Sequence, residues 1–464
     1  MNQINVPGQL ILVGALVLSL VQPVCAQEAQ RAGLVAALDS AALAHLEHEL
    51  VAGVSVAVVK GGDTLLMKGY GLADLEWDIA TPEDAGASYE IGSMTKQFTA
   101  AAILRLVEEG KLNLETDITE YLPEFDPHGH RIPLRRLLDH TSGIKGYTEM
   151  PIFGELSMRK LPRDTLVSLV EAEPFDFEPG TALIYNNSGY FLLGLIIEAV
   201  TDQPYETYLA EQFFVPLGME DTYYCSERAV RKGRAHGYDG SPGGLVRKGY
   251  LDHTWPYAAG SICSTVGDLV RWNQALHGGR VLSPESYQAM ITPMPLEDGT
   301  PTRYAMGLGI SGSGKHHSIA HGGGINGFLS DGRYYPEEGL IIVVLQTSTG
   351  PQGPGALGAA LANAVLGPPP ELAGQPFTGD LDELTGSYSG PARGQSLTME
   401  VTRDGDALVF TPEGTTNEMR PVHLEGLTWG MGNVRVWFLR REGRIAELRL
   451  DQGSGHYVLE RAKD

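Results

Sequence analysis

The pattern of apolar and polar positions changes three times along this chain. Dense, β-branched runs at 54–59 and 64–70 flank Gly61-Gly62-Asp63, which predicts a β-hairpin. Near Ser93 the spacing changes: Met94, Phe98, Ala101, Ala102, Leu104 and Val107 recur at helical intervals until Gly110, predicting a long helix. Helical spacing also covers 30–50, 134–140, 163–173, 189–201 and 265–277, and Thr265 with Asp268 makes a capping box for the last. Strand character returns at 304–310, 317–321, 327–335 and 340–347 between glycine-rich turns, followed by a helix over 356–366. Two early strands and several late ones around a helical middle predict an α+β fold. Its antiparallel sheet would be assembled from distant halves of the chain, flanked by helices, with an inserted helical lobe.

The Pro/Gly-rich stretch "GPPPELAGQPF", Gly367 to Phe377, reads as a linker. Short strands at 397–401, 407–410, 434–438, 445–448 and 457–459 then predict a small antiparallel β-barrel or sandwich. At the other end, the apolar run Leu10 to Val21 and the small-residue pattern Val24-Cys25-Ala26 read as a secretory signal peptide. The domains expected are therefore a signal peptide at 1–26, a main domain at 27–366, a linker at 367–378 and an all-β domain at 379–464. Export to the periplasm or the medium follows. The segment before the apolar run lacks Lys and Arg, so an anchor formed by uncleaved residues 10–21 is the alternative.

Composition narrows the partners. With 57 Asp and Glu against 34 Lys and Arg, a formal net charge of -23, the chain is a poor ligand for nucleic acid. Cys225 and Cys263 would remain after cleavage in an oxidising compartment where pairing is possible, and the sequence leaves that pairing open. His45 and His48, three apart on a helix, read as a surface face; no metal and no other cofactor is expected.

Candidate chemistry begins at "YEIGSMTKQFTAAAILRL". Ser93 and Lys96 share a helical face, and a desolvated lysine beside a serine can accept its proton. Taken alone the pair reads better as a capping serine and a snorkelling lysine, and Ser157 to Lys160 repeats the spacing before Leu161-Pro162 without an apolar helix behind it. Two further motifs change the picture: Tyr185-Asn186-Asn187 ahead of an apolar helix, and His321-Gly322-Gly323 at the end of a strand. Together the three resemble the penicillin-recognising serine enzymes. More narrowly, they resemble the branch holding class C β-lactamases, D-alanyl-D-alanine carboxypeptidases, D-aminopeptidases and related esterases, in which Y-x-N replaces S-D-N. "GKLNLETDITEYLPEF", "LRRLLDHTSGI" and "AAGSICSTVGDLVRWNQAL" agree with it, so the resemblance runs roughly from Val51 to Leu366.

That resemblance implies a β-lactamase-like fold and assigns roles. Ser93 would be the nucleophile, with Lys96 and Tyr185 as the coupled proton-transfer pair. Asn187, His321 and Gly323 would line the substrate, and the backbone N–H groups of Ser93 and Gly324 would form the oxyanion hole. His321 stands where many relatives carry a lysine. An imidazole is not a fixed charge near neutral pH, which puts efficient penicillin turnover in question. The function implied is a serine hydrolase working through an acyl-enzyme on Ser93, on amide bonds of D-amino-acid peptides or β-lactams. An esterase for small acyl esters and a non-catalytic protein binding cell-wall peptides are the alternatives. Its partner would be a small-molecule or peptide substrate, with no nucleic acid, and no stable membrane partner unless the signal peptide stays uncleaved. Other motifs carry less: "GISGSGKH" lacks the Ser or Thr and the helix of a phosphate loop and reads as a hairpin turn. No G-x-S-x-G elbow occurs. Asp139-His140 sketches a triad, but His140 reads better as a helix-end hydrogen-bonder.

Overall fold

A computed structural model describes the backbone of residues 11–462 and the side chains of residues 28–462. The expected signal peptide and its cleavage site lie outside the residues whose side chains are described. Among the described residues no helix is long and apolar enough to cross a membrane.

The main sheet has seven antiparallel strands, in the spatial order Gly309–Ser311, Ser318–Ile325, Phe328–Tyr335, Leu340–Gln346, Gly53–Lys60, Asp63–Asp74 and Ile79–Ala80. Its distant halves join where Gly53–Lys60 pairs with Leu340–Gln346, setting Val56 opposite Val344. Side chains alternate across a strand, and both faces of this seam are buried. Val54, Val56, Val58, Ile342 and Val344 pack under the helices Ile11–Leu46 and Pro354–Leu366 through Leu38, Ala42, Leu357 and Leu361. On the opposite face Ala57, Val59, Ile341, Val343 and Leu345 join the core of the helical lobe. Each such side chain contributes about 2 kcal/mol of apolar burial, so the seam is among the best-secured parts of the fold.

At the centre of the lobe stands the helix Thr95–Glu108, buried on every side from Thr95 to Leu104. Phe98 packs on Trp272, with ring centroids 4.2 Å apart, and edge-on to Phe214 at 5.6 Å. Several expected elements are shorter in the structure. The helix expected over 134–140 is a single turn, Arg135–Leu138, because His140 takes a left-handed φ of 61° that no α-helix continues. The strand expected over 304–310 is Gly309–Ser311 alone, with Tyr304 bridged to Gly309. The His45 and His48 face is half covered: His45 is buried and hydrogen-bonds Gln346 at 2.8 Å.

Beyond the linker lies a nearly closed barrel. Eight strands run in the order Ala407–Pro412, Gln395–Asp404, Gly386–Ala392, Gly455–Arg461, Arg444–Asp451, Val434–Arg441, Thr428–Met431 and Val422–Glu425, and a bridge from Phe410 to Met419 approaches closure. Tyr388, Phe410, Trp429 and Phe438 fill the interior. The barrel also takes a strand from the main domain: Leu183–Ile184 pairs with Gly455–Arg461, placing Ile184 opposite Gly455. Salt bridges from Arg303 to Asp451 at 2.7 Å and from Arg449 to Asp298 at 2.8 Å fasten the same junction.

Candidate active site

Ser93 stands in the 3₁₀ turn Gly92–Met94, immediately before the central helix and not within it. The turn is fed by the short strand Tyr89–Glu90, which pairs with Ile262–Ser264. Cys263 of that strand is disulfide-bonded to Cys225, with Cα atoms 5.2 Å apart, and both cysteines are buried. On the other side runs the strand Ser318–Ile325, which carries the glycines. A Cβ on Gly323 would lie 2.0 Å from the Ile91 carbonyl oxygen and 3.0 Å from the Ser93 nitrogen, so only glycine lets strand and turn come this close. The Gly324 nitrogen lies against the same turn, 2.9 Å from where a Cβ on Gly92 would stand.

Lys96 is wholly buried. Its Nζ lies 3.2 Å from Ser93 Oγ and donates to Asn187 Oδ1 and to the Ala259 carbonyl, both at 2.8 Å. The two oxygens can only accept, so they use two N–H bonds and leave the third direction toward the serine hydroxyl. In the neutral amine that direction is a lone pair. Burial pushes the ammonium well below the usual lysine range, aided by the charge of Arg393 and opposed by Glu149, so the neutral form is favoured.

Tyr185 follows the strand Leu183–Ile184, and its ring lies 4.8 Å beneath the Lys96 ammonium. Its hydroxyl is buried and points toward Ser93 without completing a hydrogen bond. Burial raises the phenol above its ordinary value, against the opposing pull of Ser93 and Arg393, so it rests protonated. Asn186 caps the helix Asn187–Thr201 by accepting from the Gly189 N–H at 2.9 Å, which orients Asn187 into the site, where its Nδ2 donates to Thr148 Oγ1 at 3.0 Å.

Both nitrogens of His321 are engaged. Nδ1 donates to the Gly322 carbonyl, so Nε2 must accept from the Tyr304 hydroxyl, 2.9 Å away. Burial, reinforced by Lys96, pushes this imidazole down to about 3. His140 is neutral as well: its Nδ1 accepts from the Asn186 N–H at 3.2 Å, its ring lies against Tyr185, and burial holds it well below the ordinary histidine value. Asp139 bonds Thr141, and His140 reaches Tyr185 but not Ser93, so these two form no triad with the serine.

These groups open on a cavity of about 670 Å³. Its floor is Ser93, Tyr185, Asn187 and the strand His321 to Gly324, and one wall comes from the barrel through Arg393, Asn433, Gln452 and Tyr457. The barrel residues had no signal in the sequence. Neither did Tyr304, Thr148 or the Ala259 carbonyl, whose roles depend on contacts across the fold. Elsewhere, Glu90, Glu227 and His253 come within 4.8 Å of one another, a spacing that could suit a metal ion. Arg234 and Lys248 are already ion-paired to both carboxylates, so the cluster reads as an ion-pair network bracing the turn before Ser93.

Comparison with known proteins places this arrangement. The Beta-lactamase family pattern matches residues 39–366. The chain belongs to that family. The putative penicillin-binding protein PbpX of Bacillus subtilis is 32% identical over 278 residues, covering 60% of this chain and 67% of the relative. The chain spans about two-thirds or less of the length of the curated relatives it matches. Among solved structures, the octameric penicillin-binding protein homologue from Pyrococcus abyssi superposes with a TM-score of 0.64 at 26% identity, covering 91% of this chain and 99% of that one. The D-amino acid amidase from Ochrobactrum anthropi, in complex with D-phenylalanine, gives a TM-score of 0.64 at 26% identity, covering 72% of this chain and 99% of that one. Among β-lactamase-family serine hydrolases the chain thus has both penicillin-binding-protein-like and amidase-like neighbours.

Proposed function

We propose that the protein is a serine hydrolase that forms an acyl-enzyme on Ser93, acting on amide bonds of D-amino-acid derivatives. The observation that carries this reading is the placement of Lys96: buried, donating to two carbonyl oxygens, with its remaining direction toward Ser93 Oγ. A neutral amine there accepts the serine proton as Oγ attacks the acyl carbon. The oxyanion that forms is met by the N–H groups of Ser93 and Gly324. Tyr185, protonated and facing Ser93, gives its proton to the leaving nitrogen and recovers one through Lys96. Water then enters by the reverse proton path and releases the acid. Asn187 binds the acyl amide. His321, with both nitrogens already bonded and no charge, shapes the pocket and brings no cation to the substrate.

Likeness to a D-amino acid amidase supports the substrate class. An ester is an easier acyl donor, so the same serine also turns over small activated esters. The buried disulfide supports an exported protein working in an oxidising compartment. The test is intact-protein mass spectrometry during incubation with a D-amino-acid anilide, a penicillin and a small activated ester. A transient adduct with release of the aniline, absent from Ser93→Ala, is expected. Adduct formation from the ester alone moves the activity to esterase, a lasting penicillin adduct moves it to a penicillin-binding peptidase, and no adduct from any donor overturns catalysis in favour of peptide binding.

A further inference from the structure

We propose that the C-terminal barrel completes the substrate site, with Arg393 reading a carboxylate on the leaving-group side of the substrate; this rests on the acyl-enzyme reading above. Arg393 occupies the tight turn between the barrel strands Gly386–Ala392 and Gln395–Asp404. The turn is pressed against the main domain. Gly394 has a φ of 72°, and a Cβ there would lie 2.7 Å from Glu149 Cβ, so the close approach is built into the turn. From this position the guanidinium reaches the catalytic groups, with Nε donating to the Glu149 carboxylate and Cζ 5.4 Å from the centroid of the Tyr185 ring.

Charge singles it out. The chain as a whole carries a net charge of -23, yet among the described residues lining the cavity the charged side chains are Arg303 and Arg393, and no carboxylate is present. Arg303 is committed to both oxygens of Asp451, at 2.7 and 3.0 Å. Arg393 is not used up. A guanidinium has five N–H donors; Glu149 takes Nε, and Nη2 makes only a long contact of 3.5 Å with Thr148 Oγ1. Nη1 has no hydrogen-bond partner among the described residues, and the side chain is partly exposed. Lys96 and His321, the other candidate cations near Ser93, are both driven toward their neutral forms by burial. Although ion-paired to Glu149 through Nε, Arg393 keeps Nη1 and most of Nη2 free on the edge of the guanidinium beside Tyr185, where a carboxylate can be met.

Position then decides which part of the substrate it meets. Tyr185 hands its proton to the leaving atom, so the leaving group must lie against Tyr185, and Arg393 stands over that same ring. The favoured leaving group is therefore an amino acid or hydroxy acid with a free carboxylate, held by the paired N–H donors that a guanidinium offers to two oxygens. Glu149 keeps the guanidinium aimed and does not line the cavity itself.

The test uses the full-length enzyme and two esters of N-acetyl-D-alanine, one with glycolate and one with glycolamide as the alcohol. The acyl group is shared and the two alcohols differ by one charge. The wild type is expected to favour the glycolate ester in kcat/KM by about tenfold or more, the size of one charge-assisted hydrogen bond. Arg393→Ala should lower that preference about tenfold through KM for the glycolate ester, and Arg393→Lys should recover part of it. Arg393→Gln keeps a donor toward Glu149 without the charge, so it carries the test if the alanine variant fails to fold. Equal kcat/KM for the two esters in the wild type, or a preference in the folded variants within threefold of wild type, overturns the assignment while leaving the hydrolase intact. Failure of the wild type to be acylated by either ester, together with no adduct from the anilide, the penicillin or the activated ester, overturns the hydrolase reading itself.

Discussion

At the scale of single residues, the proposed mechanism turns on Lys96. Three features act together: complete burial, two acceptor oxygens and a serine hydroxyl in the remaining direction. Arginine stays protonated and has no lone pair to take the serine proton, and alanine carries no base at all, so Lys96→Arg and Lys96→Ala should each lower the rate of Ser93 acylation by about 10³-fold. Single-turnover acylation followed by mass spectrometry reads the loss. Rates unchanged from the wild type in both variants would remove lysine from the chemistry. The pH dependence has a definite sign. The base works when unprotonated and its pKa is depressed, so acylation falls on the acid side, at a pH well below the ordinary lysine value. In the sequence, Ser93, Lys96, Tyr185 and Asn187 were legible because each motif is local. The Ala259 carbonyl was not: it comes from a residue 163 positions away, and any residue type can supply it.

At the scale of elements, the site is a contact between a strand and a turn, and the glycines set its spacing. Gly323→Ala should reduce the acylation rate by about 10²-fold, as expected when an oxyanion donor is displaced, because the added Cβ meets the Ile91 carbonyl and the Ser93 nitrogen. Gly322→Ala is the control. Its Cβ would lie 3.3 Å from the Ser330 carbonyl oxygen and touch nothing in the turn, so it should keep most of the rate. Equal losses in the two variants would mean that the strand tolerates no side chain anywhere, and that the oxyanion geometry is not what Gly323 protects. The disulfide acts on the same turn from the other side, through Ile262–Ser264 and Tyr89–Glu90. Closing 38 residues, it should stabilise the fold by about 4 kcal/mol on a chain-entropy account, which urea unfolding of Cys225→Ser with Cys263→Ser can measure. Strands of the seam were legible because alternation on two buried faces leaves dense apolar runs. The two-residue strands Tyr89–Glu90 and Leu183–Ile184 were not, since no periodicity fits in two residues and their pairing is decided by what docks against them.

At the scale of the molecule, the barrel was legible as a separate all-β region because its short strands repeat behind a Pro/Gly linker. That it lends the cavity a wall was not legible: the junction rests on Gly455 opposite Ile184 and on ion pairs such as Arg303 with Asp451, partners far apart in the chain. Imidazoles held below their ordinary value occur in all three parts of this assembly, His321 and His456 buried and His277 half-buried, and they contribute to how it responds to acid. Burial lowers His277 of the lobe and His321 of the sheet to about 3, and His456 of the barrel to about 4. In the unfolded chain each titrates near 6.5. Below about 6.5 the unfolded state therefore binds protons that the native state refuses. Stability is independent of these groups above that pH and falls as the pH drops toward 4, by up to about 1.4 kcal/mol per pH unit for each histidine. Carboxylates with depressed values, such as Asp117, lose their contribution only below the ordinary aspartate range, whereas Asp139, Asp176, Asp268 and Asp331, raised by burial, take up protons in the native state first and act with the opposite sign, so a single histidine is isolated only by comparing its variant with the wild type. His277 is the one to change, because it stacks on Tyr334 at 3.9 Å, away from the catalytic groups. His277→Phe keeps an aromatic ring there and removes the titration. Urea unfolding at several pH values from about 6.5 to 4.5 should show its stability falling less steeply than that of the wild type, by up to about 1.4 kcal/mol per pH unit. An unchanged slope would mean that His277 is protonated in the native state at these pH values, its half-buried ring reaching water.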